Sequence, residues 1–223
     1  MNLNLADINA VLFDLDGTLL DSAPDLGFAA NQLRANRGLP PLPLNCYRPY
    51  VGTGARGMLR IALGITPENS EFEVLKEEFF AAYECCLGSH SMLFDGVEVM
   101  LHALSRYGYS WGIVTNKSER FALPIAKATH SMSNAVMICG DTTAHSKPHP
   151  EPLLEAARRL NVLPQRCIYV GDDERDMIAA RAAGMGAVAA AYGYLGDAGG
   201  VQSWQPDAVI HSSHELTYLL GLD

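Results

Sequence analysis

Two aspartates one residue apart stand at the end of an apolar run, in Phe13-Asp14-Leu-Asp16-Gly-Thr18. Three further polar sets close similar runs: Thr115-Asn116-Lys117, Ser146-Lys147-Pro148 and Gly171-Asp172-Asp173-Glu174-Arg175-Asp176. Brought together, they form a crowd of carboxylates with a hydroxyl and a lysine. Such a crowd repels itself unless a cation is present, and an all-oxygen donor set suits the hard ion Mg²⁺. Asp14 and Asp172 would each give it one oxygen. An aspartate beside the metal also has the reactivity to attack phosphorus and form an acyl phosphate that water later cleaves. Asp16 would then protonate the leaving oxygen and deprotonate the water. Thr115 with nearby amides, and Lys147, would bind the oxygens of the transferring group. The chemistry expected is metal-dependent phosphoryl transfer.

For these segments to meet, the runs that precede them must lie side by side. Ala10–Phe13, Trp111–Thr115, Ala135–Cys139, Cys167–Val170, Ala187–Ala191 and Ala208–Ile210 are short, apolar and do not alternate with polar residues. That pattern suits strands covered on both faces, as in a parallel sheet. Helical patterns separate them, one opening at Glu151-Pro152 and another running from about Glu174 to Ala183 before Gly184. The expected fold class is α/β, a Rossmann-like doubly wound parallel sheet, and ligands of such sheets bind beyond the carboxyl ends of the strands.

The stretch between the first strand and Trp111 has no comparable β run and exceeds any ordinary connection. Ala23–Arg37, Asn45–Leu63 and Glu68–Leu87 read as helices within it, punctuated by Pro40-Pro41-Leu42-Pro43 and Pro67. The expectation is an inserted helical cap domain at 19–90, with the catalytic core formed by 1–18 and 91–223 and hinges near Thr18–Asp21 and Ser89–Gly96. Gly52-Thr-Gly54-Ala-Arg56-Gly57 spells a dinucleotide fingerprint, but Pro49 stands where its strand should be and no βαβ unit follows. It reads better as a cap loop with Arg56 facing an anionic group of the substrate. His145 and His149 flank Lys147 at a spacing of four, and Pro148 interrupts the helix a metal-binding pair would need.

The 223 residues are 48% hydrophobic and 18% charged, which excludes a disordered chain. A formal charge of −9 argues against a nucleic-acid partner, which would require a basic face. Five cysteines with no CxxC pair suggest free thiols in a reducing compartment. The start, Met1 to Asp7, lacks the flank and apolar stretch of a leader. The longest uncharged run, Ala182–Gly196, is too short for a membrane helix. The expectation is a cytoplasmic protein with a small-molecule phosphomonoester partner and no membrane contact.

The four motifs resemble those of the haloacid dehalogenase-like phosphatases, in order and spacing, along almost the whole chain. The resemblance implies Asp14 as nucleophile and Asp16 as general acid/base. It also implies Thr115, Asn116 and Lys147 around the phosphate, and Mg²⁺ on Asp14, the main-chain carbonyl of Asp16, and Asp172. Asp173 and Asp176 are both open for the remaining carboxylate role of the fourth motif. The helical insertion is similar to the cap of the phosphoglycolate-phosphatase-like subgroup. Within it, Trp111-Gly-Ile-Val-Thr-Asn-Lys117 with Arg120-Phe121, the 171–176 segment, and Tyr192-Gly-Tyr194 with Trp204 resemble the N-acetylmuramic acid 6-phosphate phosphatases. That ester is therefore the expected substrate. Phosphoglycolate, a sugar phosphomutase reaction on the same scaffold, and a phosphate-binding protein without turnover are the alternatives.

Overall fold

The computed structural model describes residues 5–196 and 200–222; the chain start read above, Met1–Asn4, lies outside them. Six strands coincide with the six apolar runs. They are β1 (Ala10–Phe13), β4 (Ser110–Val114), β5 (Val136–Ile138), β6 (Cys167–Gly171), β7 (Gly186–Ala190) and β8 (Ala208–Ile210). Two short strands, β2 (Leu20–Asp21) and β3 (Met92–Leu93), pair apart from this sheet. Helices α1 (Ala23–Ala35), α2 (Leu44–Tyr47), α3 (Ala55–Leu63) and α4 (Phe72–Cys86) lie between β2 and β3. They are followed by α5 (Val97–Arg106), α6 (Glu119–Ala128), α7 (Glu151–Leu160), α8 (Glu174–Ala182) and α9 (Ser213–Leu219).

The large sheet runs β5-β4-β1-β6-β7-β8, and all five neighbouring pairs in it are parallel. Chain order therefore moves outward from β1 through β4 to β5, then restarts at β6 on the other side. That reversal is the topological switch point of a doubly wound sheet, and it opens a crevice at the carboxyl ends of β1 and β6. Leu12 and Phe13 pair with Tyr169 and Val170 across it. Helices cover the sheet, so that β1 and β6 are buried along their length and the other four strands toward their carboxyl ends: Ala10, Leu12, Val114, Tyr169 and Ala189 share one core with Leu153 and Ala157 of α7 and Met177 and Ala180 of α8. Small residues on α7, α8 and β7 let the helices sit close to the sheet.

The chain divides into two compact units, one formed by Met1–Leu20 with Leu93–Asp223 and the other by Asp21–Met92. The second is helical, with α1 packed on α3 and α4 through Leu26, Ala30, Leu33, Met58, Leu59, Leu75 and Phe79. One expectation fails here. Asn45–Leu63 is not one helix but α2, a 3₁₀ segment at Arg48–Thr53, and α3. Pro49 has no N–H to give an α-helical ladder. Gly54 then takes φ +61°, a conformation that ends one helical segment and starts the next. The last helix also begins later than Glu68, at Phe72, because the Asn69 side chain accepts from the Thr66 N–H at 2.8 Å and holds a turn there.

A buried carboxylate ties the end of this unit to its start. Asp25, in the first turn of α1, accepts from the main-chain N–H of Gly88 and His90 at 2.8 Å each, and from the Ser91 hydroxyl. Its side chain is fully shielded from solvent. Asp25→Ala would strand buried donors, and should lower stability by about 3 kcal/mol in urea unfolding. Asp25→Asn, which keeps one acceptor oxygen, should lose less.

Candidate active site

All four polar segments come from the larger unit and stand at the carboxyl ends of β1, β4 and β6 or in the loop before α7. The β1 strand hands over to a tight turn in which the Leu19 and Leu20 N–H groups donate to the Leu15 carbonyl at 3.0 and 2.9 Å. Gly17 makes this turn possible: it sits at φ +87°, and a Cβ there would fall 2.0 Å from Asp172 Oδ2. The turn thus brings the backbone of the Asp14–Thr18 segment against the carboxylate that ends β6. Asp172 is held in place by the Thr18 hydroxyl on one oxygen, at 3.0 Å, and by the Tyr194 N–H on the other, at 2.7 Å.

Lys147 lies at the centre, with its side chain 2% exposed. Its Nζ is 3.0 Å from Asp14 Oδ1 and 2.8 Å from Asp176 Oδ1, and it donates to the Tyr169 hydroxyl at 2.6 Å. An ammonium has three N–H donors, and each has a partner here. Tyr169, on β6, donates in turn to the Val114 carbonyl at 2.6 Å, one residue before Thr115. The Asn116 side chain clasps the main chain of Lys147, accepting from its N–H at 3.0 Å and donating to its carbonyl at 2.9 Å. Lys117 places Nζ 3.0 Å from each oxygen of Asp16.

Four carboxylates, those of Asp14, Asp16, Asp172 and Asp176, therefore share two lysines. Burial pushes the Asp14 carboxyl up to about 6; Asp176 and Asp16 add to the rise and Lys147 opposes it. Asp172 is pushed well above the usual carboxylate range, first by burial and then by Asp14 and Asp176. Burial works against the charge of Lys147 as well, but Asp14 and Asp176 outweigh it and raise its pKa. The site as built carries negative charge that its own cations do not balance.

That imbalance tests whether a metal belongs here. Asp14, Asp172 and Asp176 can each present an oxygen with all three within 4.8 Å of one another, the one such cluster of acidic, His or Cys ligands among the described residues. Three hard oxygens, two of them on carboxyls that burial and mutual repulsion drive toward protonation, fit a divalent cation such as Mg²⁺. Asp173 is turned elsewhere. It caps α8 and pairs with the Arg175 guanidinium at 2.7 Å; burial works to raise its pKa, but Arg175 overrides that and lowers it.

Asp14, Asp16, Thr115, Lys147 and Asp172 thus lie in one connected polar network. Asn116 belongs to it through its clasp on the Lys147 main chain. Arg56 is exposed on the first turn of α3, in the helical unit. His145 and His149 are exposed, with ring centroids 4.3 Å apart. Lys117, Tyr169 and Tyr194 are members of the network that motif reasoning passed over. A lysine directly after Thr115-Asn116 was visible in the sequence, but nothing in its spacing says that it reaches Asp16. A tyrosine inside an apolar strand gives no sequence signal at all.

The fold and this network define a hydrolase class. The family model described as haloacid dehalogenase-like hydrolase matches residues 11–190, and the chain belongs to that family. A phosphoglycolate phosphatase of Xanthomonas campestris pv. campestris (strain 8004) is 51% identical over 209 residues, covering 93% of this chain and 94% of that one. An N-acetylmuramic acid 6-phosphate phosphatase of Pseudomonas aeruginosa is 39% identical over 214 residues, covering 96% and 95%. The crystal structure of a predicted phosphoglycolate phosphatase from Haemophilus somnus 129PT superposes with a TM-score of 0.83 at 28% identity, covering 96% of this chain and 98% of that one. Within its family the protein is a phosphoric monoester hydrolase. No helix among the described residues is long and apolar enough to cross a membrane.

The cluster yields a ranking of acids. Asp172→Ala and Asp176→Ala should each weaken Mn²⁺ binding by about tenfold or more, read from the loss of the free-ion EPR signal. Asp173→Ala, whose carboxylate faces Arg175, should change it by about twofold at most.

Proposed function

We propose that the protein hydrolyses a carboxylate-bearing phosphomonoester through an aspartyl-phosphate intermediate on Asp14. The observation that carries this reading is the pairing of two differently placed carboxylates on one turn: Asp14 faces Lys147, and Asp16 faces Lys117. In the first half of the reaction an Asp14 oxygen bonds to phosphorus, the bond to the leaving oxygen breaks, and Asp16 gives that oxygen a proton. In the second half water bonds to phosphorus and passes a proton to Asp16 while the bond to Asp14 breaks, releasing phosphate. Lys147 through its charge, and the Thr115 hydroxyl through a hydrogen bond, stabilise the phosphoryl oxygens as charge moves through them. Asp176, 2.8 Å from Lys147, keeps that ammonium aimed into the site, which favours it over Asp173 for the second acidic role of the fourth motif. Mg²⁺ on Asp14, Asp172 and the Asp16 carbonyl would supply the positive charge that brings a dianionic ester to a carboxylate nucleophile.

The substrate follows from what must surround the leaving group, because the strand ends supply the means to bind only the phosphoryl part. We assign the helical unit, 21–92, the task of a cap over the leaving group, and Arg56 the task of meeting the substrate carboxylate. Phosphoglycolate is the first choice. Relatives of that name span 35–51% identity, with four of them at 46–51%, against 39–40% for those named for N-acetylmuramic acid 6-phosphate. The second reading keeps the amino-sugar ester, supported by relatives that match nearly the whole chain and by the Trp111–Phe121 and Tyr192–Trp204 segments.

Asp14→Asn retains size and shape but has no carboxylate to attack phosphorus, so turnover should fall by several orders of magnitude with the thermal midpoint little changed. Near-normal turnover would refute the covalent route. Direct competition between the two esters, followed by the ratio of their kcat/KM values, decides the substrate. A preference for phosphoglycolate is expected, and a preference for N-acetylmuramic acid 6-phosphate would install the second reading.

A further inference from the structure

Lys117 has no part in the steps above, yet it is nearly buried beside the reacting groups. Its side chain is 8% exposed and that of Asp16 17%. Nζ lies 3.0 Å from both carboxylate oxygens, so one ammonium spans the carboxylate. The lysine is itself fixed at its base. Its N–H donates to the Thr115 hydroxyl at 3.2 Å, and its carbonyl accepts from the Gly140 N–H at 2.9 Å. The Asn116 clasp on Lys147 anchors the residue between the two. Thr115, Asn116 and Lys117 thus form a three-residue bracket, in which successive side chains end at the site, at the Lys147 main chain and at Asp16. Removing an ammonium from water is costly, and a pair kept mainly for stability is better left exposed.

We propose that Lys117 is the positioning residue of Asp16, setting the orientation in which that carboxyl gives and takes its proton. The inference rests on the reading of Asp16 as proton donor and acceptor. A carboxylate on a short side chain rotates about its last bond, and proton transfer needs an oxygen aligned with the leaving group and then with water. An ammonium on both oxygens stops that rotation. When Asp16 gives up its proton to the leaving oxygen, the carboxylate left behind meets a positive charge already in place. When water attacks the aspartyl phosphate, the oxygen that accepts the proton is already aimed. Lys147 is engaged with Asp14, Asp176 and Tyr169, so the two lysines serve the two aspartates separately.

The test uses a leaving group that needs no proton. With p-nitrophenyl phosphate the first half-reaction proceeds without a general acid, whereas the second still needs Asp16 as base. In stopped flow, Lys117→Met should release one nitrophenolate per active site in a burst and then turn over about tenfold or more slowly. On an alkyl phosphate the same variant should lose at least as much kcat with no burst of alcohol and with KM within about twofold. Lys117→Arg, which can also span a carboxylate, should recover part of the loss. Should Lys117→Met fail to fold, Lys117→Gln removes the charge and has the same expected readout. Asp16→Asn is the reference. A burst and stall in Asp16→Asn with wild-type kinetics in the lysine variants would reject the inference and leave the reading of Asp16 intact. Unchanged turnover in Asp16→Asn would reject that reading itself. A raised KM with kcat preserved in Lys117→Met would make the lysine a substrate anchor and overturn the positioning role.

Discussion

Repulsion among carboxylates is the constraint on which the site depends. Asp14, Asp172 and Asp176 are packed closely enough for their oxygens to share one ion, in surroundings that strip them of water. A fold that places acids so tightly must carry compensating charge or hold them protonated. Here the compensation is divided. Lys147 bridges Asp14 and Asp176, Lys117 takes Asp16, Arg175 draws Asp173 away, and the remaining deficit fits a divalent cation.

The sheet makes this crowding possible. Reversal of strand order between β1 and β6 leaves their carboxyl ends adjacent, so Asp14 and Asp172 meet although 158 positions separate them in the chain. Backbone geometry then removes the slack. The Gly17 turn lies against Asp172, the Tyr194 N–H fixes one of its oxygens, and the Tyr192 hydroxyl donates to the Thr18 carbonyl at 2.9 Å. Tyr192 also packs edge-on to Phe94, whose N–H donates to the Leu19 carbonyl. The loop after β7 therefore braces both the turn that carries Asp16 and the point where the chain re-enters the larger unit. A loop with no charged side chain between Ala191 and Gly196 is, in mechanical terms, part of the site.

Much of this was legible in the sequence. Apolar runs without alternation announce buried parallel strands because both faces of such strands are covered, and all six runs are strands. That Asp14, Asp16 and Asp172 gather at one edge of the sheet was legible because each closely follows an apolar run that forms a strand. What was hidden depends on long-range contact. Asp173 and Asp176 look alike in the sequence and differ in direction: the first, at the N-cap of α8, turns to Arg175, and the second, in its first turn, to Lys147. Tyr169 looks like any core aromatic until its hydroxyl is seen between Lys147 and Val114. In the helical unit, composition suggested a helix through 45–63, and local backbone chemistry at Pro49 and Gly54 overrode it.

On the covalent route the phosphoryl group passes through Asp14 on its way to water. Two successive in-line displacements return the configuration at phosphorus to its starting hand, whereas one direct attack by water inverts it. Hydrolysis of a phosphorothioate monoester made chiral with two oxygen isotopes, in water of the third isotope, reads this outcome from the configuration of the product thiophosphate by ³¹P NMR after stereochemical analysis. Retention is expected. Inversion would contradict the covalent route and make Asp14 a metal ligand or base rather than a nucleophile.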